Sequence, residues 1–159
     1  MKHTSIKYIC TIIIAGALFA SCKKDDVGGT AVQQLSGEWW IQLKINNTPV
    51  IPNFFKVSTY NTSKNVGSEM WLDFPDWPFK GKVSVDPVAL TFIANKSQSE
   101  YGAVTANIVG GKILQNASKG PVSKAVTDSI YFEGEFSDDP GTKYQVTGYR
   151  RTRYAEDDH

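Results

Sequence analysis

Hydrophobic and polar residues change rhythm once along the chain. From Tyr8 through Ile12, Ile13 and Ile14 to Leu18, Phe19 and Ala20, apolar residues follow one another almost without a break. Beyond residue 35 they alternate with polar ones, rich in Thr, Val, Ile and aromatics, and no helical period is sustained. The alternation predicts eight strands: 37–45, 54–60, 69–74, 81–85, 88–94, 103–109, 129–136 and 143–152. Trp39, Ile41, Leu43 and Ile45 share one face of the first strand. Met70, Leu72 and Phe74 share one face of the third, and Ile130, Phe132 and Phe136 one face of the seventh. Asn46-Asn47-Thr48-Pro49 and Asp138-Asp139-Pro140-Gly141 read as turns, and residues 115–127 as a long loop. Eight short-connected strands predict an all-β fold, an antiparallel barrel or a barrel-like sandwich. A barrel of that size is filled by side chains or holds one small ligand.

The uninterrupted run at the start is shorter than the roughly 20 apolar residues a membrane-spanning helix needs. With Lys2, His3 and Lys7 before it, residues 1–21 read as a secretory signal peptide. The run ends in Leu18-Phe19-Ala20-Ser21-Cys22, which resembles the bacterial lipobox, so Cys22 is the expected lipidation site. Residues 22–34, with Lys23-Lys24-Asp25-Asp26 and Gly28-Gly29, read as a lipidated tether. The domain is expected over 35–155 and a frayed tail over 156–159.

Composition narrows the chemistry. The chain holds 17 Lys plus Arg against 16 Asp plus Glu, and removal of Lys2 and Lys7 leaves 15 against 16. No basic excess points to nucleic acid. Cys10 lies in the signal peptide and Cys22 carries the lipid, so no thiol remains for a disulfide, a metal or nucleophilic catalysis. The two histidines are His3, which is removed, and His159, in the expected tail. A Ser-His-Asp or Cys-His hydrolase therefore finds no base in the domain, no zinc spacing is present, and no catalytic residues, metal or cofactor are expected.

Paired carboxylates are the remaining catalytic route. Glu133 and Glu135 share the face opposite Phe132 and Phe136, which reads as a solvated outer wall. Asp73 and Asp76 flank Pro75 among aromatics, while Asp138 and Asp139 are turn residues. Aromatics make up 12% of the chain, with four Trp. They are densest over Trp71-Leu72-Asp73-Phe74-Pro75-Asp76-Trp77-Pro78-Phe79. Trp71, Phe74, Trp77 and Phe79 are accordingly the candidate ligand-binding residues, as the lip of a pocket. Their alternative role is to fill the core and cover one end of the barrel.

Two places carry a resemblance. Gly37-x-Trp39 opens the first strand and Arg150 lies near the end of the last, similar to the lipocalin kernel in which an arginine packs across a tryptophan that closes the barrel base. Alternation assigns this role to Arg150, and a bulge near Gly148 would pass it to Arg151. The lipobox, Leu35-Ser36-Gly37-Glu38-Trp39-Trp40, Asp128-Ser129-Ile130 and Gly148-Tyr149-Arg150-Arg151 resemble the Bacteroidetes lipoproteins called lipid-binding putative hydrolases. That resemblance implies a lipocalin-like barrel and an apolar ligand. The lipobox leads to the expectation of outer-membrane attachment through N-terminal acyl chains, and the charged stretch after Cys22 resembles the surface-export signal of Bacteroidetes lipoproteins, so the cell surface is the expected face. Asp128-Ser129-Ile130 also resembles a short Bacteroidetes O-glycosylation motif. The expected function is a lipid-anchored envelope protein binding a lipid or other small apolar molecule. The alternatives are a carbohydrate-binding accessory subunit of a surface uptake complex and a structural envelope protein with a filled barrel.

Overall fold

The structure, a computed structural model, describes residues 28–77 and 79–159. Cys22 and residues 1–21, where a signal peptide is expected, lie outside the described residues. The strands are β1 (Gly37–Ile45), β2 (Thr48–Pro49), β3 (Phe55–Asn61), β4 (Glu69–Phe74), β5 (Phe79–Asp86), β6 (Thr91–Gln98), β7 (Thr105–Lys119), β8 (Val126–Phe136) and β9 (Tyr144–Arg150). All neighbours are antiparallel, and β1 pairs with β9 from Trp39↔Arg150 to Lys44↔Gln145. That last pairing closes an eight-stranded barrel, with β2 as a short extra strand on β1.

Closure gives the molecule two ends. At the base lie the residues before β1, the connections β3–β4, β5–β6 and β7–β8, and the chain after β9. At the mouth lie residues 46–54, 75–77, 99–104 and 137–143. Strand alternation sends Trp39, Ile41, Leu43, Met70, Leu72, Ile108, Phe132 and Val146 inward, all at most 1% exposed. Burial of such rows is the main favourable term in folding.

Three differences from the sequence expectation have local causes. Residues 115–127 are mostly strand: β7 runs 15 residues and its hairpin with β8 turns at 120–125. The outer half of β7 is exposed on both faces, so it carries no hydrophobic alternation to read. Register shifts interrupt the β7–β8 ladder, one of them at Gly110, whose φ of +62° suits a bulge. The strand expected over 88–94 is β6 and starts at Thr91 instead of Val88, because the Asp86 carboxylate accepts the N–H groups of Val88 and Ala89 and turns the chain there.

The third difference is the tail. Asp157 is 1% exposed and accepts from the Val122 and Ser123 N–H groups (2.9 Å each) and the Thr152 hydroxyl (2.6 Å). Asp158 accepts from Arg151 Nε (2.7 Å) and Trp40 Nε1 (3.2 Å). The His159 ring stacks on Phe54 at 4.2 Å between centroids. Residues 155–159 are therefore docked on the barrel wall by contacts that no local pattern could reveal.

The base is plugged from the N-terminal side. A 3-10 turn over Gln33–Leu35 buries Val32 and Leu35 beneath β1. The Leu35 carbonyl accepts from the Thr59 hydroxyl (2.6 Å), whose oxygen accepts from Trp39 Nε1 (2.9 Å). These bonds satisfy the polar atoms that burial of the indole would otherwise strand. Arg150 lies over the same indole, 4.9 Å from the ring centroid. Its Nη2 donates to the Gln34 carbonyl (3.2 Å) and meets Asp128 Oδ2 at 3.3 Å.

Candidate ligand site at the barrel mouth

The β4–β5 connection is a tight turn in which the Trp77 N–H donates to the Phe74 carbonyl (3.2 Å). The turn folds the half-buried Trp77 indole back over the mouth. It stacks on Phe136, 5.3 Å between centroids and 28° between planes, and meets Tyr144 edge-on at 5.3 Å. Below it, Phe136 touches Phe79 (5.5 Å) and Phe74 (6.3 Å), Phe74 touches Phe132 (6.0 Å), and Phe132 touches Phe92 (5.6 Å). A column of rings thus occupies the interior from the mouth inward. The edge-to-face spacings are those that aromatic quadrupoles favour.

One polar group sits at the rim. The Tyr144 hydroxyl donates to Asp139 Oδ2 (2.6 Å), and this bond, with burial of the ring, pushes the phenol up to about 12. It stays protonated at neutral pH and offers a fixed dipole beside the apolar lid.

Of the four residues singled out in the sequence, Phe74, Trp77 and Phe79 come together at the mouth. Trp71 lies elsewhere, on the outer wall, because it alternates with the inward Met70 and Leu72. There the Lys80 and Lys82 ammonium groups stand 5.2 and 5.0 Å from its ring centroid. Asp73 shares that wall and accepts from Tyr60 (2.7 Å) and Tyr101 (2.8 Å). Sequence reasoning did not bring Phe136 and Tyr144 to the mouth. Their signal was their position on either side of the Asp138–Gly141 turn, which places both at one end of their strands.

The acidic pairs hold structural bonds. Glu133 accepts from the Tyr131 hydroxyl (2.8 Å) and Glu135 from the Gly141 N–H (3.2 Å). The two line a shallow outer groove of about 190 Å³ with Val109 and Lys143. Asp76 is exposed in the mouth turn. His159 Nε2 lies 2.7 Å from the Tyr149 hydroxyl, so this histidine is part of the folded surface, against the expectation of a frayed tail. Burial, then the charges of Asp157 and Asp158, push the Tyr149 phenol up to about 12, which leaves it a poor nucleophile at neutral pH. Among the described residues, no three His, Cys, Asp or Glu side chains converge to hold a metal ion. Ser129, of the glycosylation-like motif, is a half-buried residue of β8 paired with Leu114 and Tyr149.

Comparison with known proteins places this geometry in context. A solved structure from Bacteroides ovatus, a structural-genomics protein of unknown function, is similar at a TM-score of 0.49 and 15% identity. The alignment covers 76% of this chain and 42% of that one, so the chain spans about two-fifths of that protein's length. No curated protein matches. A family model described as lipid-binding putative hydrolase matches residues 24–155, from the segment before the base plug to the docked tail, and the chain belongs to that family.

Proposed function

We propose that this protein is an envelope lipoprotein, attached to the outer membrane through acyl chains on Cys22, that binds a lipid or other small apolar molecule at the barrel mouth. The observation that carries the reading is the Trp77 lid. A half-buried indole on a short turn covers a column of buried rings in a chain of a lipid-binding family. Moving the lid forfeits one ring stack and part of the indole's burial, about 2 kcal/mol. An acyl chain recovers about 0.8 kcal/mol for each methylene it buries. Roughly three methylenes inserted against Phe136, Phe74 and Phe79 therefore offset the cost of opening. Tyr144, paired with Asp139, supplies the polar handle for a headgroup.

The test is a titration of the purified protein with fatty acids and phospholipids, followed by tryptophan fluorescence, beside Trp77→Phe and Trp71→Phe. A saturable change lost in Trp77→Phe and kept in Trp71→Phe supports the mouth site. Saturation by oligosaccharides alone, lost in Trp71→Phe, moves the site to the outer wall and favours the carbohydrate-binding reading. No saturable response to either class favours a structural protein whose barrel is solid, as the ring column would also allow.

A further inference from the structure

Two aliphatic side chains are held away from the molecule at its base. Val88 is 92% and Val122 61% exposed, the highest values among the large described hydrophobic residues. Single exposed valines are ordinary on a protein surface. These two share one end of the barrel, and each is fixed outward by a carboxylate. Asp86 accepts the Val88 and Ala89 N–H groups (2.9 and 3.0 Å). Asp157 accepts those of Val122 and Ser123. Beside the second, Gly120 packs so closely that a Cβ there would stand 2.1 Å from Asp157 Oδ2.

Charge divides the two ends in the same sense. Lys64, Lys119 and Lys124 are exposed at the base, and residues 62–68, 87–90 and 119–126 contain no Asp or Glu. The acids bordering them are engaged: Asp86 and Asp157 as above, Glu69 with the Thr62 hydroxyl (2.8 Å), Asp128 with Arg150, and Asp158 with Arg151. Arg153 and Glu156 offset one another on the exposed side of the tail. The mouth loops hold Asp76, Glu100, Asp138 and Asp139 against a single basic residue, Lys143, across 46–54, 75–77, 99–104 and 137–143.

The chain also enters at the basic end. The Ala31 N–H donates to Asn65 Oδ1 (2.9 Å) in the β3–β4 connection. Eight residues separate Ala31 from Cys22, and nine steps at about 3.5 Å each reach no more than roughly 30 Å.

We propose that the barrel base is a membrane-contact surface, in which Val88 and Val122 enter the headgroup layer of an anionic bilayer while Lys64, Lys119 and Lys124 meet its phosphates. This rests on the reading of Cys22 as a lipid anchor, which keeps the base within a tether's length of the bilayer. Each lysine near an anionic surface multiplies the docked population about fivefold. The mouth then points away from the membrane.

The experiment uses the acylated protein in phosphatidylglycerol-containing vesicles, with an environment-sensitive fluorophore on a single introduced cysteine: Val88→Cys, Val122→Cys or, at the mouth, Asp138→Cys. Both base labels should be shielded from an aqueous quencher and the mouth label open to it. Shielding should fall about fivefold for each of Lys64→Gln, Lys119→Gln and Lys124→Gln, while the protein still floats with the vesicles. Equal quenching at all three positions in protein that floats overturns the contact surface and leaves the anchor intact. Protein that fails to float removes the anchor and this proposal with it.

Discussion

The Arg150 guanidinium covers the Trp39 indole at 4.9 Å from the ring centroid, and these two residues are also direct ladder partners across the β1–β9 seam. One contact therefore joins the first barrel strand to the last, and through Gln34 and Asp128 it also ties in the base plug and β8. Among the described residues the Arg150 Nε is buried without a hydrogen-bond partner, so the ring face and the Nη2 contacts hold the group in place.

Arg150→Ala should destabilise the fold by about 1–2 kcal/mol, the range of a partly desolvated cation–π contact. Arg150→Lys should recover little of this, because an ammonium cannot lie flat on the indole while reaching two oxygens. Arg151→Ala should cost less, since that side chain binds Asp158 and Glu38 on the surface. Urea denaturation of the three variants checks the ranking. A neutral Arg150→Ala would refute this account of the seam.

Gly148→Ala should strain the same seam. A Cβ there would stand 2.3 Å from the Trp40 carbonyl oxygen and 2.9 Å from the Ile41 Cα, both backbone atoms that cannot step aside. Overpacking of this kind costs about 1–3 kcal/mol. The expected signature is a lower denaturation midpoint with the antiparallel circular-dichroism spectrum retained.

Asp157 should make stability depend on pH. Burial opposes its ionisation, but bonds from the Ser123 and Thr152 hydroxyls and the Ser123 and Val122 N–H groups outweigh that and hold its carboxyl well below the usual range. A carboxyl depressed on folding stabilises the native state above its unfolded value, about pH 4, and loses that contribution as pH falls through its folded value. Wild type should therefore lose melting temperature on acidification below about pH 4. Asp157→Asn should melt lower at pH 7 and show a flatter acid limb. A steeper acid limb in Asp157→Asn would contradict the assignment.

Cys22→Ser should abolish membrane attachment. Stable anchoring takes more than one acyl chain or a chain plus a second signal. Fractionation of cells, with and without an inhibitor of lipoprotein signal peptidase, gives the answer. A variant that stays in the membrane fraction, with unchanged precursor size under the inhibitor, would remove the lipoprotein reading.

Where one face was dry and the other wet, the sequence was readable. The inward rows of β1, β4 and β8 follow directly from alternation, which also separates Arg150 from Arg151 once the kernel resemblance calls for an arginine over Trp39. The outer half of β7 was not readable, because a strand with two wet faces has no period. The docking of Asp157 was hidden for another reason: its partners Val122 and Ser123 are 34 or more residues away, and their N–H groups are invisible in any side-chain pattern. The aromatic cluster over 71–79 was visible as a cluster. Its division into a mouth group and an outer-wall Trp71 required knowing which parity of β4 faced inward, which Met70 and Leu72 indicated.

Closure of the barrel by β1 and β9 has a kinetic side. Residues paired across that seam are separated by about a hundred positions, so the ladder that finishes the sheet is also its most distant in sequence. Until the segment from Tyr144 onward is present, β1 and β8 each offer an unpaired edge, the feature that draws strands from other chains into aggregates. Contacts of such range form late and slowly, since loop-closure entropy is lost before they repay it. A chain still emerging from a ribosome or a translocation pore therefore has no native barrel to collapse into. It remains an open, threadable sheet until its last strand arrives.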